Sequence, residues 1–267
     1  MQTTIMGRVV AYDERGSGIP LVLIHGFPLN RMIWEAQWEG LADTARVIAP
    51  DLRGFGESEM VAGATDIATY ADDIRELLDA LGVRQPAVIV GHSMGGYVAL
   101  AYLRRYPEHV AGLVLANTKA TPDSIEGKAG RDKNIALARD KGAGAIAEAM
   151  LPKLLAPNTA ASKPGLVEQV NRIMQSASVP GIIAALGAMR DRPDSTGTLL
   201  EFSEPVLILA GAEDPLMPMA EQENMKEAAR NSTLIVIPDS AHLSPMEQPD
   251  AFNRAVREFL APLKNQY

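Results

Sequence analysis

The chain has 267 residues, 47% of them hydrophobic, with 33 acidic against 25 basic side chains, a net charge of −8 and no cysteine. That is enough for one large domain or a domain with an insertion, and it excludes a disulfide framework and a thiolate metal site. No stretch reaches the ~20 continuous apolar residues of a membrane span, no Lys/Arg run suggests a nucleic-acid surface, and no apolar segment of signal-peptide length opens the chain, so a soluble cytoplasmic protein is expected.

In chain order, Ile5 to Tyr12 reads as an antiparallel edge hairpin with its continuation. Leu21–Ile24, Arg46–Ala49, Ala87–Val90, Leu113–Ala116, Val206–Leu209 and Leu234–Ile237 are short apolar runs of the kind that parallel strands show when both faces are buried. Amphipathic helices lie between them. Ile67, Tyr70, Ile74, Leu77, Leu78 and Leu81 recur at helical spacing, with Gly82 as a stop, and Phe252, Ala255, Val256, Phe259 and Leu260 repeat the pattern near the end. The alternation predicts an α/β fold with a mostly parallel, doubly wound sheet. Residues 119–194 break the rule, with helical stripes such as Leu166, Val170, Ile173 and Met174 and no strand pattern. They are expected to form a helical cap, or lid, over a core of 1–118 and 195–267, above the carboxyl edge where ligands of such sheets bind.

The most informative run is Val88-Ile89-Val90-Gly91-His92-Ser93-Met94-Gly95-Gly96, followed by a helical pattern. A strand turning sharply into a helix through Gly-x-Ser-x-Gly forces the central serine into a strained, outward-facing conformation over a helix N-terminus. Ser93 is the candidate nucleophile. A serine hydroxyl is weak, so a base must take its proton and an acid must orient that base. Of the four histidines, His92 should point away from the elbow, His109 follows a helix as a connector, and His25 suits holding its own loop. His242, on the loop after the last strand, is the preferred base. Asp214, directly after Val206–Leu209 and ahead of Pro215, is preferred over Glu213 as the orienting acid. Asp51 reads as a structural partner of a nearby arginine, Arg53, and the strand-end position after Ala116 holds Asn117 rather than an acid. A developing oxyanion needs two N–H donors. Met94 supplies one, and because Pro28 has no N–H, Phe27 supplies the other.

His25-Gly26-Phe27-Pro28, Asp51 to Ser58, Gly91 to Gly96, Gly211-Ala212-Glu213-Asp214 and Ala241-His242 with Glu247-Gln248-Pro249 together resemble the α/β-hydrolase fold family across nearly the whole chain. The resemblance implies a cofactor-independent serine hydrolase with Ser93, Asp214 and His242 as triad and Phe27 and Met94 as oxyanion donors. The chain is similar to carboxylesterases and enol-lactonase-like members, so a small ester or lactone is the expected substrate. Ser93 argues against the dehalogenase and epoxide-hydrolase branches, which use aspartate. Cofactor-free perhydrolases, C–C bond hydrolases and a ligand-binding receptor on the same fold are the alternatives. Residues 119–194 contain no Phe, Trp or Tyr, so the cap is expected to line an aliphatic, methionine-rich pocket. Arg131, Lys153, Arg172 or Arg190 could receive a substrate carboxylate, and the sequence singles out none of them.

Overall fold

The computed structural model describes residues 1–61, 63 and 65–263. Met6 and Gly7 both adopt positive φ (50° and 80°) and close a two-residue turn between Gln2–Ile5 (β1) and Arg8–Arg15 (β2). Such turns match the natural twist of an antiparallel pair, and β1 and β2 form the expected edge hairpin. The chain then runs through Pro20–Ile24 (β3), a 3-10 turn at Arg31–Trp34, Glu35–Leu41 (α1), Arg46–Pro50 (β4), Ile67–Ala80 (α2), Ala87–His92 (β5), Met94–Arg105 (α3) and Val110–Ala116 (β6). After a helical stretch it returns as Val206–Gly211 (β7) and Ser232–Ile237 (β8).

The eight strands lie in the order β1-β2-β4-β3-β5-β6-β7-β8, parallel from β4 onward. Consecutive side chains point to opposite faces, so Val22 and Ile24 join one core with Ile74, Leu78 and Val98, while Leu21 and Leu23 join another with Trp34, Leu41 and Phe252. α2 and α3 therefore cover one face. α1 and the terminal helix, Pro249–Leu260, cover the other. The expectation of burial on both faces fails at β8, where Val236 is 44% exposed. β8 is the sheet's edge, and an apolar run there looks the same in sequence as one in the centre.

Between β6 and β7 there is no strand among the described residues. Ile125–Met150 (α4), Pro157–Ser162 (α5), Pro164–Gln175 (α6), Val179–Arg190 (α7) and Thr196–Glu201 (α8) fill the interval. Because β6 ends at Ala116 on the carboxyl side of the sheet, these helices leave from that side. α4 is broken at Gly142, whose φ of +78° a residue with a Cβ adopts only under strain. Met219–Ala228 (α9) links β7 to β8, and Ser244–Glu247 (α10) precedes the terminal helix (α11).

Candidate active site

The junction of β5 and α3 is built by close backbone contact. Ser93 has φ 53° and ψ −116°, a sparsely populated conformation for a residue with a side chain. Its N–H donates to Ala116 O (3.0 Å), and Thr118 Oγ1 donates to Ser93 O (2.7 Å). A Cβ on Gly91 would lie 2.4 Å from Gly95 O, and one on Gly95 would lie 2.2 Å from Ile24 O. Backbone atoms cannot give way cheaply. Gly95→Ala is therefore expected to lower stability by about 3 kcal/mol or more, read as a reduced urea midpoint.

Ser93 Oγ lies 2.9 Å from His242 Nε2, and His242 Nδ1 lies 2.8 Å from Asp214 Oδ2. The three side chains come from the ends of β5, β8 and β7, and the His242 and Asp214 side chains are each 2% exposed. Asp214 Oδ1 accepts from the N–H groups of Leu216 (2.8 Å) and Met217 (3.2 Å). Burial alone would raise the Asp214 carboxyl. The His242 charge and hydrogen bonds from His242, Asn117 and Leu216 outweigh it and hold the group below the usual carboxylate range. Asp214 is thus an anion whose acceptor sites all face donors. Glu213, the other candidate acid, is exposed.

The supporting roles of Asn117 and Glu247 were not visible in the sequence, whereas His92 and His25 stand as expected. Asn117 Nδ2 donates to Asp214 Oδ2 (2.9 Å) and Ala241 O (3.0 Å), and Asn117 Oδ1 accepts from Ser244 Oγ (2.6 Å). It ties the acid to the histidine's loop from the end of β6. Glu247, fully buried, accepts from the N–H of Ala241 (2.8 Å) and the N–H of Ala156 (2.7 Å), joining that loop to the helices between β6 and β7. Burial raises the Glu247 carboxyl despite these bonds. His92 turns away from Ser93 and donates through Nε2 to His242 O at 2.6 Å. Its pKa is pushed down to about 3, first by burial and then by the neighbouring His242 charge, so it stays neutral. His25 is also lowered by burial, and it accepts from Leu52 N–H (3.0 Å) while donating to Gly26 O (2.9 Å).

The expected pairing of Asp51 with Arg53 is not observed. Asp51 pairs with Arg31, whose N–H also donates to it (2.8 Å), whereas Arg53 pairs with Asp73 at 2.5 Å. Arg31 sits on the turn after β3, a neighbour only in the folded chain. Gly26 packs directly under the site, since a Cβ there would lie 3.0 Å from Ser93 Cβ. That contact places the Phe27 loop beside the serine, and Met94 follows it as the first residue of α3.

A cavity of about 220 Å³ opens on Ser93 and His242, and Phe27, Tyr97, Met150, Met189 and Met217 form its apolar wall. Met94 and Met174 lie instead in the two cores. The helices between β6 and β7 contribute not only aliphatic groups, as expected, but also Arg131, Asn134 and Lys153, and no Asp or Glu is among the described lining residues. The kink at Gly142 allows both halves of α4 to reach it. Arg172 and Arg190 do not line it. Among the described residues, no group of three or more His, Asp or Glu is placed to hold a metal ion, and no helix is long and apolar enough to cross a membrane.

The same architecture recurs in known proteins. A thermophilic esterase from Thermogutta terrifontis, solved with malate bound, is 41% identical, with a TM-score of 0.96 and 99% of each chain covered. The enol-lactonase of Burkholderia xenovorans is 25% identical, with a TM-score of 0.90 over 97% of this chain and 99% of that one. In sequence, 3-oxoadipate enol-lactonase 2 of Acinetobacter baylyi is 30% identical over 88% of this chain and 86% of its own length. The profile of the alpha/beta hydrolase fold matches residues 19–249. The chain belongs to the α/β-hydrolase fold family and is an enzyme of that superfamily.

Proposed function

We propose that the protein hydrolyses carboxylic esters or lactones through an acyl-enzyme on Ser93, beneath a helical cap formed by residues 119–194. The observation that carries this reading is the unbroken run of hydrogen bonds from Ser93 Oγ through His242 to Asp214, opening on a cavity. Asp214, as an anion, requires a proton on His242 Nδ1, which leaves Nε2 free to accept the Ser93 proton. Ser93 Oγ then attacks the substrate carbonyl. The oxyanion is received by the N–H groups of Phe27 and Met94, and His242 returns the proton to the departing alkoxide. Water, activated by the same imidazole, attacks the acyl-enzyme, releases the acid and restores the serine. Esterase and lactonase relatives support the same chemistry. The test is labelling by a fluorophosphonate probe together with turnover of a panel of small esters and lactones. Stoichiometric labelling at Ser93 with turnover is expected; an unlabelled, inactive protein would point to a binding role on the same fold.

The substrate's remote end carries a carboxylate. Arg131 and Lys153 give the cavity a cationic wall in a chain of net charge −8, and the thermophilic esterase holds malate, a dicarboxylate. Arg131 is already engaged by Asp123 (2.9 Å), which leaves Lys153, exposed at the cavity, as the more adaptable cation. Removing an ion pair to an exposed lysine forfeits up to about 1 kcal/mol, roughly fivefold in affinity. Lys153→Gln is accordingly expected to raise KM about fivefold for a monoester of a dicarboxylic acid and to leave KM for the uncharged analogue unchanged. Equal effects on both substrates would remove Lys153 from recognition.

A further inference from the structure

Tyr97 stands on α3, one turn beyond Ser93, and borders two cavities at once. On one side is the cavity that holds Ser93 and His242. On the other is a second cavity of about 190 Å³, lying between the start of α2, the outer part of α3 and the end of α7. Ile67, Leu100, Ala101, Ala120, Ala188 and Pro193 supply its apolar lining, beside the charged side chains of Asp66, Arg104, Lys119, Asp191 and Arg192. It contains no residue of the triad and has no part in the chemistry above.

The partition itself is held in an unusual way. Tyr97 is 3% exposed, yet its hydroxyl has no hydrogen-bond partner among the described residues. Its ring is fixed from one face instead, by the Arg192 guanidinium 3.9 Å from the ring centroid. Arg192 in turn is anchored by Asp123 (2.7 Å), Met189 O (2.7 Å) and Thr121 O (2.8 Å). A phenol that forgoes its hydrogen bond in a buried site is kept there by its ring. The ring thus stands between the two cavities, with Arg192, which also lines the second one, against one of its faces.

We infer that Tyr97 is a specificity-determining residue: its ring closes the catalytic cavity against the second one and so limits the length of the hydrocarbon chain that the substrate can carry. The inference rests on the ester-hydrolase reading and adds the identity of the wall. Shortening the side chain would join the two spaces, and each methylene newly received by an apolar pocket changes kcat/KM about tenfold or more.

The experiment compares p-nitrophenyl acetate, butyrate, octanoate and dodecanoate on wild type, Tyr97→Phe and Tyr97→Ala, with fluorophosphonate labelling of Ser93 as the check on folding and competence. Wild type should favour the short esters, and Tyr97→Phe should keep that profile, because it retains the ring and loses only an unpartnered hydroxyl. Tyr97→Ala should raise the octanoate-to-butyrate ratio of kcat/KM at least about tenfold. Should Tyr97→Ala fail to label, Tyr97→Val serves in its place. A competent variant lacking the ring that keeps the wild-type chain-length profile overturns the inference, as does a wild type that takes dodecanoate as readily as butyrate. A wild type that neither labels nor hydrolyses any of the four overturns the hydrolase reading itself, a result distinct from either.

Discussion

Asp214→Asn is expected to lower kcat on a p-nitrophenyl ester about 10⁴-fold with the fold intact. Every hydrogen bond to the native carboxylate comes from a donor: His242 Nδ1 and Asn117 Nδ2 at Oδ2, and the N–H groups of Leu216 and Met217 at Oδ1. An amide has one oxygen to offer. Two backbone N–H groups claim it, because they cannot rotate away. The new NH₂ group then faces Nδ1 of His242, which must become an acceptor and carry its proton on Nε2 instead. In that tautomer Nε2 can no longer accept from Ser93. The same NH₂ also meets the NH₂ of Asn117, which would have to reorient and so disturb its bonds to Ala241 O and Ser244. Steady-state kinetics with a circular-dichroism check on folding measure the effect. A loss of less than tenfold in a folded variant would mean that the carboxylate does not set the tautomer.

Ser93→Ala should reduce kcat further, by about 10⁶-fold, as removal of a nucleophile does when the remaining groups act only as a unit. Residual turnover would come from oxyanion stabilisation and binding acting on water. Stability should change little, because alanine keeps the Cβ and the backbone conformation at φ 53° is imposed by the packing around Gly91 and Gly95. Only the hydroxyl bond to Nε2 is lost, worth about 1 kcal/mol. The variant should also fail to react with a fluorophosphonate. Near-wild-type turnover in a folded Ser93→Ala protein would refute the nucleophile assignment.

What could be read from the sequence was what is local or periodic. The strand Val88–Val90, the glycines at 91 and 95 and the helix that follows define the Ser93 turn within a dozen residues. Loops after strands supplied the candidates His242 and Asp214, because a parallel sheet gathers those ends on one edge. What the sequence did not reveal depends on residues that meet only in three dimensions. Arg31 rather than Arg53 is the partner of Asp51, and Asn117, a residue at a position without an acid, bridges the acid and the histidine loop. Glu247 was visible only as part of a motif; its burial and its two backbone partners, 6 and 91 residues away, follow from the docking of the helices between β6 and β7. Which of the four candidate cations face the cavity was not readable either: for Arg131 it depends on which side of the first half of α4 turns inward, and Lys153 lies in the turn that follows α4.

In the proposed mechanism the acyl group resides on Ser93 between two chemical steps. Acid-quenching the reaction with p-nitrophenyl butyrate within the first turnovers, followed by peptide mass spectrometry, tests it directly. A butyryl adduct is expected on the peptide that contains Ser93, in proportion to an initial burst of nitrophenol wherever deacylation is the slower step, and accumulating when deacylation is slowed. Ester turnover with no adduct at Ser93 under those conditions, or with an adduct on another residue, would contradict it.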